Sequence, residues 1–141
     1  MASQLKVDTL TGVTTAGSID VTGEGNSTTT NLQQGLAKSW VCLKGSDTFA
    51  VRDSFNTSSA TDNGEGDYTT TRTNAFVNDD YAAAGLCSAT SGGNAHYNFI
   101  VENQDNRLRS TTQLRTWILN PVEVNQNDAL DYSMTFTGDL A

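Results

Sequence analysis

Trp40-Val-Cys-Leu-Lys-Gly45, Thr48-Phe-Ala-Val-Arg-Asp-Ser-Phe-Asn56, Thr61-Asp-Asn-Gly-Glu-Gly-Asp-Tyr-Thr69 and Asn74-Ala-Phe76 follow one another in one stretch. Runs of β-branched and aromatic residues alternate there with Asp, Asn and Gly, the residues that close turns. Asn63-Gly64 predicts a tight turn, because glycine takes positive φ at no steric cost. The stretch reads as strands on either side of a loop at 56–66, with residues 68–73 as the returning strand. No catalytic or metal-binding signature accompanies it.

The same punctuation continues to the C-terminus. Trp40 and Cys42 alternate with Val41 and Leu43, so both faces of that strand are apolar and it reads as central or interfacial. Phe49, Val51 and Phe55 are expected on one face, with Asp53 among them. Tyr81-Ala-Ala-Ala-Gly-Leu-Cys87 has small residues on both faces, which invites close approach by another sheet or chain. Ser91-Gly-Gly-Asn94 reads as a turn, and Tyr97, Phe99 and Val101 as one face of the next strand. Residues 104–106 turn the chain into a long strand over 107–119, ended by Pro121. Leu130, Tyr132, Met134 and Phe136 alternate with Asp131, Ser133 and Thr135, which predicts an inward-facing row. The whole predicts an all-β chain: a single antiparallel, jelly-roll-like β-sandwich of roughly seven strands over 39–141, preceded by an extended segment over 1–38.

Bulk properties narrow the function classes. A chain of 141 residues is long enough for one domain with a core. Its hydrophobic share is 36% and its charged share 17%, with Thr, Ser, Asn and Gly filling the balance. A net charge of −8 argues against duplex nucleic acid, which needs clustered Lys and Arg. Arg107, Arg109 and Arg115 fall at odd positions of the expected long strand, where they read as a solvated face or an intersubunit ion-pair row rather than an anion site. No secretory leader and no apolar run of membrane-spanning length is present, so no membrane insertion is expected. Cys42 and Cys87 then meet a reducing compartment and read as two buried free thiols.

Candidate chemistry is sparse. His96 stands alone, so neither a His-pair metal site nor two-histidine acid/base catalysis is available. Asp62-Asn-Gly-Glu-Gly-Asp67 has the composition of a calcium loop but lacks the spacing of ligands, and turn chemistry accounts for each residue. Asp79-Asp80 reads as another acidic turn. Trp40, Trp117, Tyr68, Tyr81, Tyr97 and Tyr132 are expected mostly in the core, although any left outside could stack on a sugar. No catalytic residue, metal ligand or cofactor-binding residue is assigned, and the chain reads as non-enzymatic.

The first 30 residues have another character. Leu5, Val7, Val13, Ile19 and Val21 are separated by Gly12, Gly17, Gly23 and Gly25, too sparse an apolar set to offset the entropy of ordering the segment alone. Thr28-Thr-Thr-Asn31 offers an N-cap to one or two helical turns over 32–38, within a connector that spans 26–38.

Gly35-Leu-Ala-Lys-Ser-Trp-Val41, Arg52-Asp-Ser-Phe-Asn-Thr-Ser-Ser-Ala-Thr-Asp-Asn-Gly-Glu-Gly-Asp-Tyr-Thr69 and Thr73-Asn-Ala-Phe76 resemble a module of tail-fibre and virion surface proteins of tailed bacteriophages, those of marine bacteria and cyanobacteria above all. The opening Met1-Ala-Ser-Gln-Leu-Lys-Val-Asp-Thr-Leu-Thr-Gly12 resembles the N-termini of the same proteins. The resemblance implies a homotrimeric structural component of a virion, assembled in the host cytoplasm. It implies contact with other tail or capsid proteins through the N-terminal segment. The short segment before the sandwich favours a short fibre, adaptor or appendage over a long shaft. Capsid decoration, or recognition of a host surface glycan, is the alternative.

Overall fold

In a computed structural model, residues 4–12, 19–22, 29–89, 98–103, 108–120 and 125–141 are described. The chain divides into two compact units, Met1–Leu36 and Ala37–Ala141. In the first, β1 (Asp20–Thr22) pairs antiparallel with β2 (Thr29–Asn31), and one helical turn, α1 (Leu32–Gly35), follows. None of the side chains described in this unit is buried, and Leu5, Val7, Leu10, Val21 and Leu36 are all exposed.

The second unit is an antiparallel β-sandwich. Its strands are β3 (Ser39–Lys44), β4 (Ala50–Phe55), β5 (Thr57–Gly64), β6 (Asp67–Arg72), β7 (Ala82–Ala89), β8 (Phe99–Glu102), β9 (Gln113–Asn120), β10 (Asn125–Gln126) and β11 (Ala129–Thr137). One sheet has the order β4-β3-β11-β7; the other runs β10-β9-β6-β5, with β8 also paired to β9. Thr116 and Trp117 pair with both β6 and β8, which places β8 on the side of β9 away from β6. The described residues thus hold eleven strands, nine of them in the sandwich, where the sequence suggests about seven over 39–141.

The alternation read from the sequence places the core. Val41 and Leu43 of β3, Tyr132, Met134 and Phe136 of β11, Tyr68 of β6, and Leu114 and Ile118 of β9 form one buried cluster with Phe76, Tyr81 and Ala129. The Tyr68 and Tyr132 rings meet edge to face at 5.5 Å between centroids, and the Tyr132 hydroxyl lies 2.9 Å from Thr116 Oγ1 across the interior. Each buried tyrosine therefore brings apolar area and satisfies its hydroxyl, as burial of a polar group demands. Burial pushes both phenol pKa values well above the ordinary range.

Several expectations are corrected. Leu130 is 40% exposed, because a bulge between Ala129 and Tyr132 shifts the register and turns Ala129 inward instead. The 56–66 loop contains strand β5, whose polar residues pair with β6 along a sheet edge. Its turn is Glu65-Gly66, two residues beyond the expected one, with φ +64 at Gly66 and +140 at Gly64. The long strand over 107–119 begins only at Gln113. Ser110 Oγ accepts from the backbone N–H groups of Thr112 and Gln113, a side-chain turn that breaks the extended run. In β8 Phe99 and Val101 do share one face, opposite Leu119 and Trp117, but it is the outer one, and Ile100 is the inward residue. A bulge opposite β3 sets Phe55 against Trp40 but Val51 against Leu43, so Val51 and Phe55 do not form one row. His96, Tyr97, the turns at 91–94 and 104–106, Arg107 and Pro121 lie outside the described residues.

Two stability effects follow. Met134→Asp should destabilise the sandwich by roughly 4 kcal/mol, since an unpaired carboxylate would replace a buried thioether. A chemical melt within a few tenths of a kcal/mol of wild type would mean that β11 is misplaced. Gly66→Val should cost about 2 kcal/mol, because φ is positive there and a β-carbon would sit 2.7 Å from the Asn127 carbonyl oxygen. Gly64→Val meets no neighbour, so its effect in the same melt should come from backbone strain alone and be smaller.

Candidate functional site

The two sheets present outer faces of opposite character. On the five-stranded sheet, Asp67 opens β6 and points outward, where it is nearly buried. Its Oδ1 accepts from Arg115 Nε at 2.8 Å and Asn63 Nδ2 at 3.4 Å. Its Oδ2 accepts from Arg115 Nη2 at 2.7 Å, Trp117 Nε1 at 2.9 Å and Asn103 Nδ2 at 3.2 Å. Register brings these residues together: Asp67 pairs with Trp117 and Thr69 with Arg115, while Asn103 N–H donates to the Arg115 carbonyl. The bidentate guanidinium fork is the strongest element, being charge-assisted and planar on planar.

Burial pushes the Asp67 carboxyl up. The hydrogen bonds from Arg115 and Trp117, the Arg115 charge and the Asn63 amide outweigh it and leave the group below its ordinary value of 3.8. The Arg115 pKa rises correspondingly. With five donors already on its two oxygens, Asp67 has no lone pair placed for a substrate proton. The cluster can hold Trp117 and Arg115 in fixed positions; it is not arranged as an acid/base pair. No local signal marks it, since its members come from β5, β6, the residue after β8, and β9.

The arginine row expected from spacing does not form. Arg115 is bound to Asp67, whereas Arg109 turns the other way, with its Nε 3.3 Å from Glu102 and its guanidinium 4.5 Å from the Tyr81 ring centroid. Among the described residues no three His, Cys, Asp or Glu side chains gather as a metal site would require. Asp62 instead accepts the Gly64 N–H within its own turn, and the Asp80 N–H is held by Asn78. Cys42 and Cys87 are both free thiols, but neither is fully buried. They pair with the adjacent β11 residues Ser133 and Tyr132, so they stand on opposite faces of one sheet and cannot bond to each other.

The outer face of the four-stranded sheet is the contrasting surface. One row across it is Phe55, Trp40, Thr135 and Ala84; the next is Asp53, Cys42, Ser133 and Leu86. Apart from Asp53 at the edge, the two rows carry no charge. Small side chains form the floor of a groove of about 530 Å³, and Trp40 and Leu86 line it. Leu86 is 81% exposed and Phe55 54%. The small residues read from the sequence in 81–87 thus divide: Ala84 floors the groove outside. Gly85 faces inward, where a β-carbon would run into Met134 Sδ. Of the aromatic residues, Tyr68, Tyr81 and Tyr132 are in the core, and Trp40 and Trp117 are half-buried on opposite outer faces.

Comparison with known protein families, with curated proteins and with solved structures finds no match for the chain.

The Asp67 bracket makes stability pH-dependent. Because its folded pKa is lowered, its contribution is complete above the ordinary carboxylate range and is lost as pH falls through 3.8 and below. Asp67→Asn should lose about 2 kcal/mol at pH 7, where a charged acceptor becomes neutral. The gap between variant and wild type should narrow in melts taken at successively lower pH. A gap that stays constant down to pH 3 would show that Asp67 is not held ionised by its partners.

Proposed function

We propose that the chain is a non-enzymatic structural protein of a tailed-phage virion: a trimeric short fibre, adaptor or surface appendage, anchored through its N-terminal segment. The observation that carries this reading is the outer face of the four-stranded sheet. It is a grooved apolar surface whose two central rows carry no charge except Asp53 at the edge, on a chain whose net charge is −8. An exposed apolar groove rimmed by polar residues fits burial against protein. The rim is Asp53 with Lys44 and the Arg52–Asp131 ion pair.

The first unit supports the same reading. Leu5, Val7, Leu10, Val21 and Leu36 are exposed there, and no described side chain of that unit is buried. Holding such a segment in one conformation costs about 1–2 kcal/mol of backbone entropy per residue, which neighbouring chains in a particle would offset. The threefold stoichiometry and the virion setting come from the resemblance of residues 1–12 and 35–76 to virion surface proteins.

Sedimentation of the full-length chain at tens of micromolar should give an assembly with a number of copies divisible by three. Trp40→Asp, which places a charge on the outer face and leaves the core intact, should keep the wild-type fold and lose the threefold assembly. A wild-type stoichiometry not divisible by three, or one unchanged in Trp40→Asp, overturns the reading.

A further inference from the structure

The edges of the two sheets are not alike. β4 bears Arg52 and Asp53 and a register shift against β3. β5 bears Asp62 and two register shifts against β6. β8 is 4 residues long and ends on Glu102, and β10 has 2 residues. Charges, irregularities and shortness are the features that stop strand edges from pairing with other chains. β7 has none of them. Ala82–Ala89 runs 8 residues as Ala-Ala-Ala-Gly-Leu-Cys-Ser-Ala, without charge or proline, and the bulge beside it lies in β11. Among the described residues no strand runs along its far side.

We propose that β7 is an open pairing edge that joins two copies of this chain, β7 against β7 and antiparallel, so that their four-stranded sheets become continuous. The proposal rests on the reading that copies associate, and adds a second contact to the face described above. The occupant is a second copy because the other edges such a copy could offer are blunted, which leaves β7 as the complementary strand. A two-fold axis perpendicular to the sheet keeps outer face beside outer face, and so pairs residues of the same parity. Centred on Gly85, it sets each Leu86 opposite Ala84 of the second copy and each Cys87 opposite Ala83. Large side chains then meet small ones, and the exposed Leu86 gains a cross-strand neighbour. Such a junction adds main-chain hydrogen bonds, the mode by which extended segments extend a sheet. Combined with the threefold contact, it links trimers edge to edge.

Amide hydrogen exchange on the full-length wild-type chain tests the junction without substitution. Neighbouring amides of a strand point to opposite edges, so every second amide of β7 faces away from β11. Those amides should exchange slowly in the assembled protein and at least tenfold faster after dilution to dissociated chains. Fast exchange at these positions in the assembled protein overturns the proposal. The register is tested by Ala83→Cys, which should form a covalent dimer through Cys87 of the second copy under mild oxidation, and should fail to do so when Cys87→Ser is added. A covalent dimer that persists in the double variant overturns the register. The two readings fail separately. Loss of the edge leaves a wild-type trimer with unprotected β7 amides. Loss of the face leaves Trp40→Asp identical to wild type, with the β7 protection intact.

Discussion

A guanidinium buried with no carboxylate beside it among the described residues holds one end of the sandwich together. Arg72, at the end of β6, is 3% exposed, and its cation lies 4.4 Å from the Tyr81 ring centroid, 4.9 Å from Phe136 and 5.0 Å from Phe76. Its Nη2 donates to the Ser110 carbonyl at 3.0 Å and its Nε to that of Thr111 at 3.4 Å. Burial lowers its pKa, but arginine stays charged in any protein setting. Removing such a charge from water carries a large penalty unless the surroundings replace the lost solvation. Here three ring faces and two carbonyls replace much of it, leaving Nη1 without a hydrogen bond, and this requires β6, β11 and the segments around Phe76, Tyr81 and Ser110 to converge on one point. The side chain that is hardest to bury thereby fixes where both sheets end.

The neighbouring corner depends on the same convergence. The chain passes from β4 in one sheet to β5 in the other at Asn56, whose φ of +52 is a conformation that asparagine tolerates better than most residues. Its amide donates to the Lys38 carbonyl at 2.9 Å, its side-chain oxygen accepts from the Asn74 N–H at 2.7 Å, and its carbonyl takes the Thr73 N–H. Residues 73 and 74 follow Arg72 directly, so the corner and the aromatic cage brace each other. At the far end Asp128 does the equivalent work, accepting from the Tyr68 hydroxyl at 2.9 Å and the Gly66 N–H at 2.8 Å. The centre between these ends is filled mainly by apolar and aromatic side chains, where strict alternation is enough to set inside from outside.

That division explains what the sequence disclosed. β11 was legible because buried and exposed positions alternate with chemistry to match, and β3 because two apolar faces mark a central strand. β5 was not, since a polar edge strand with two register shifts has no apolar face to betray it. Leu130 misled because a bulge changes parity without changing composition. The Asp67 bracket was invisible for a different reason. Its members sit on separate strands, and only the pairing of β6 with β9 brings the carboxylate to the guanidinium. Arg72 likewise stands in a strand of threonines; nothing local says that three aromatic rings wait for it.

The contrast between the outer faces is also a matter of electrostatics. A chain with net charge −8 repels its own copies, but at physiological ionic strength charges farther apart than about 8 Å are largely screened. What decides association is therefore the charge within the contact itself. On the five-stranded sheet, contact would have to accommodate Asp67, Arg115 and their donors, whose hydrogen bonds are already complete within the chain. On the four-stranded sheet, the central rows ask for no counter-charge, and Trp40, Leu86 and Ala84 gain from leaving water. Asp53 and the Arg52–Asp131 pair stand at the margin, where rim charges set register and association rate more than affinity. An acidic chain can thus meet its own copies where its fold has placed its charges elsewhere.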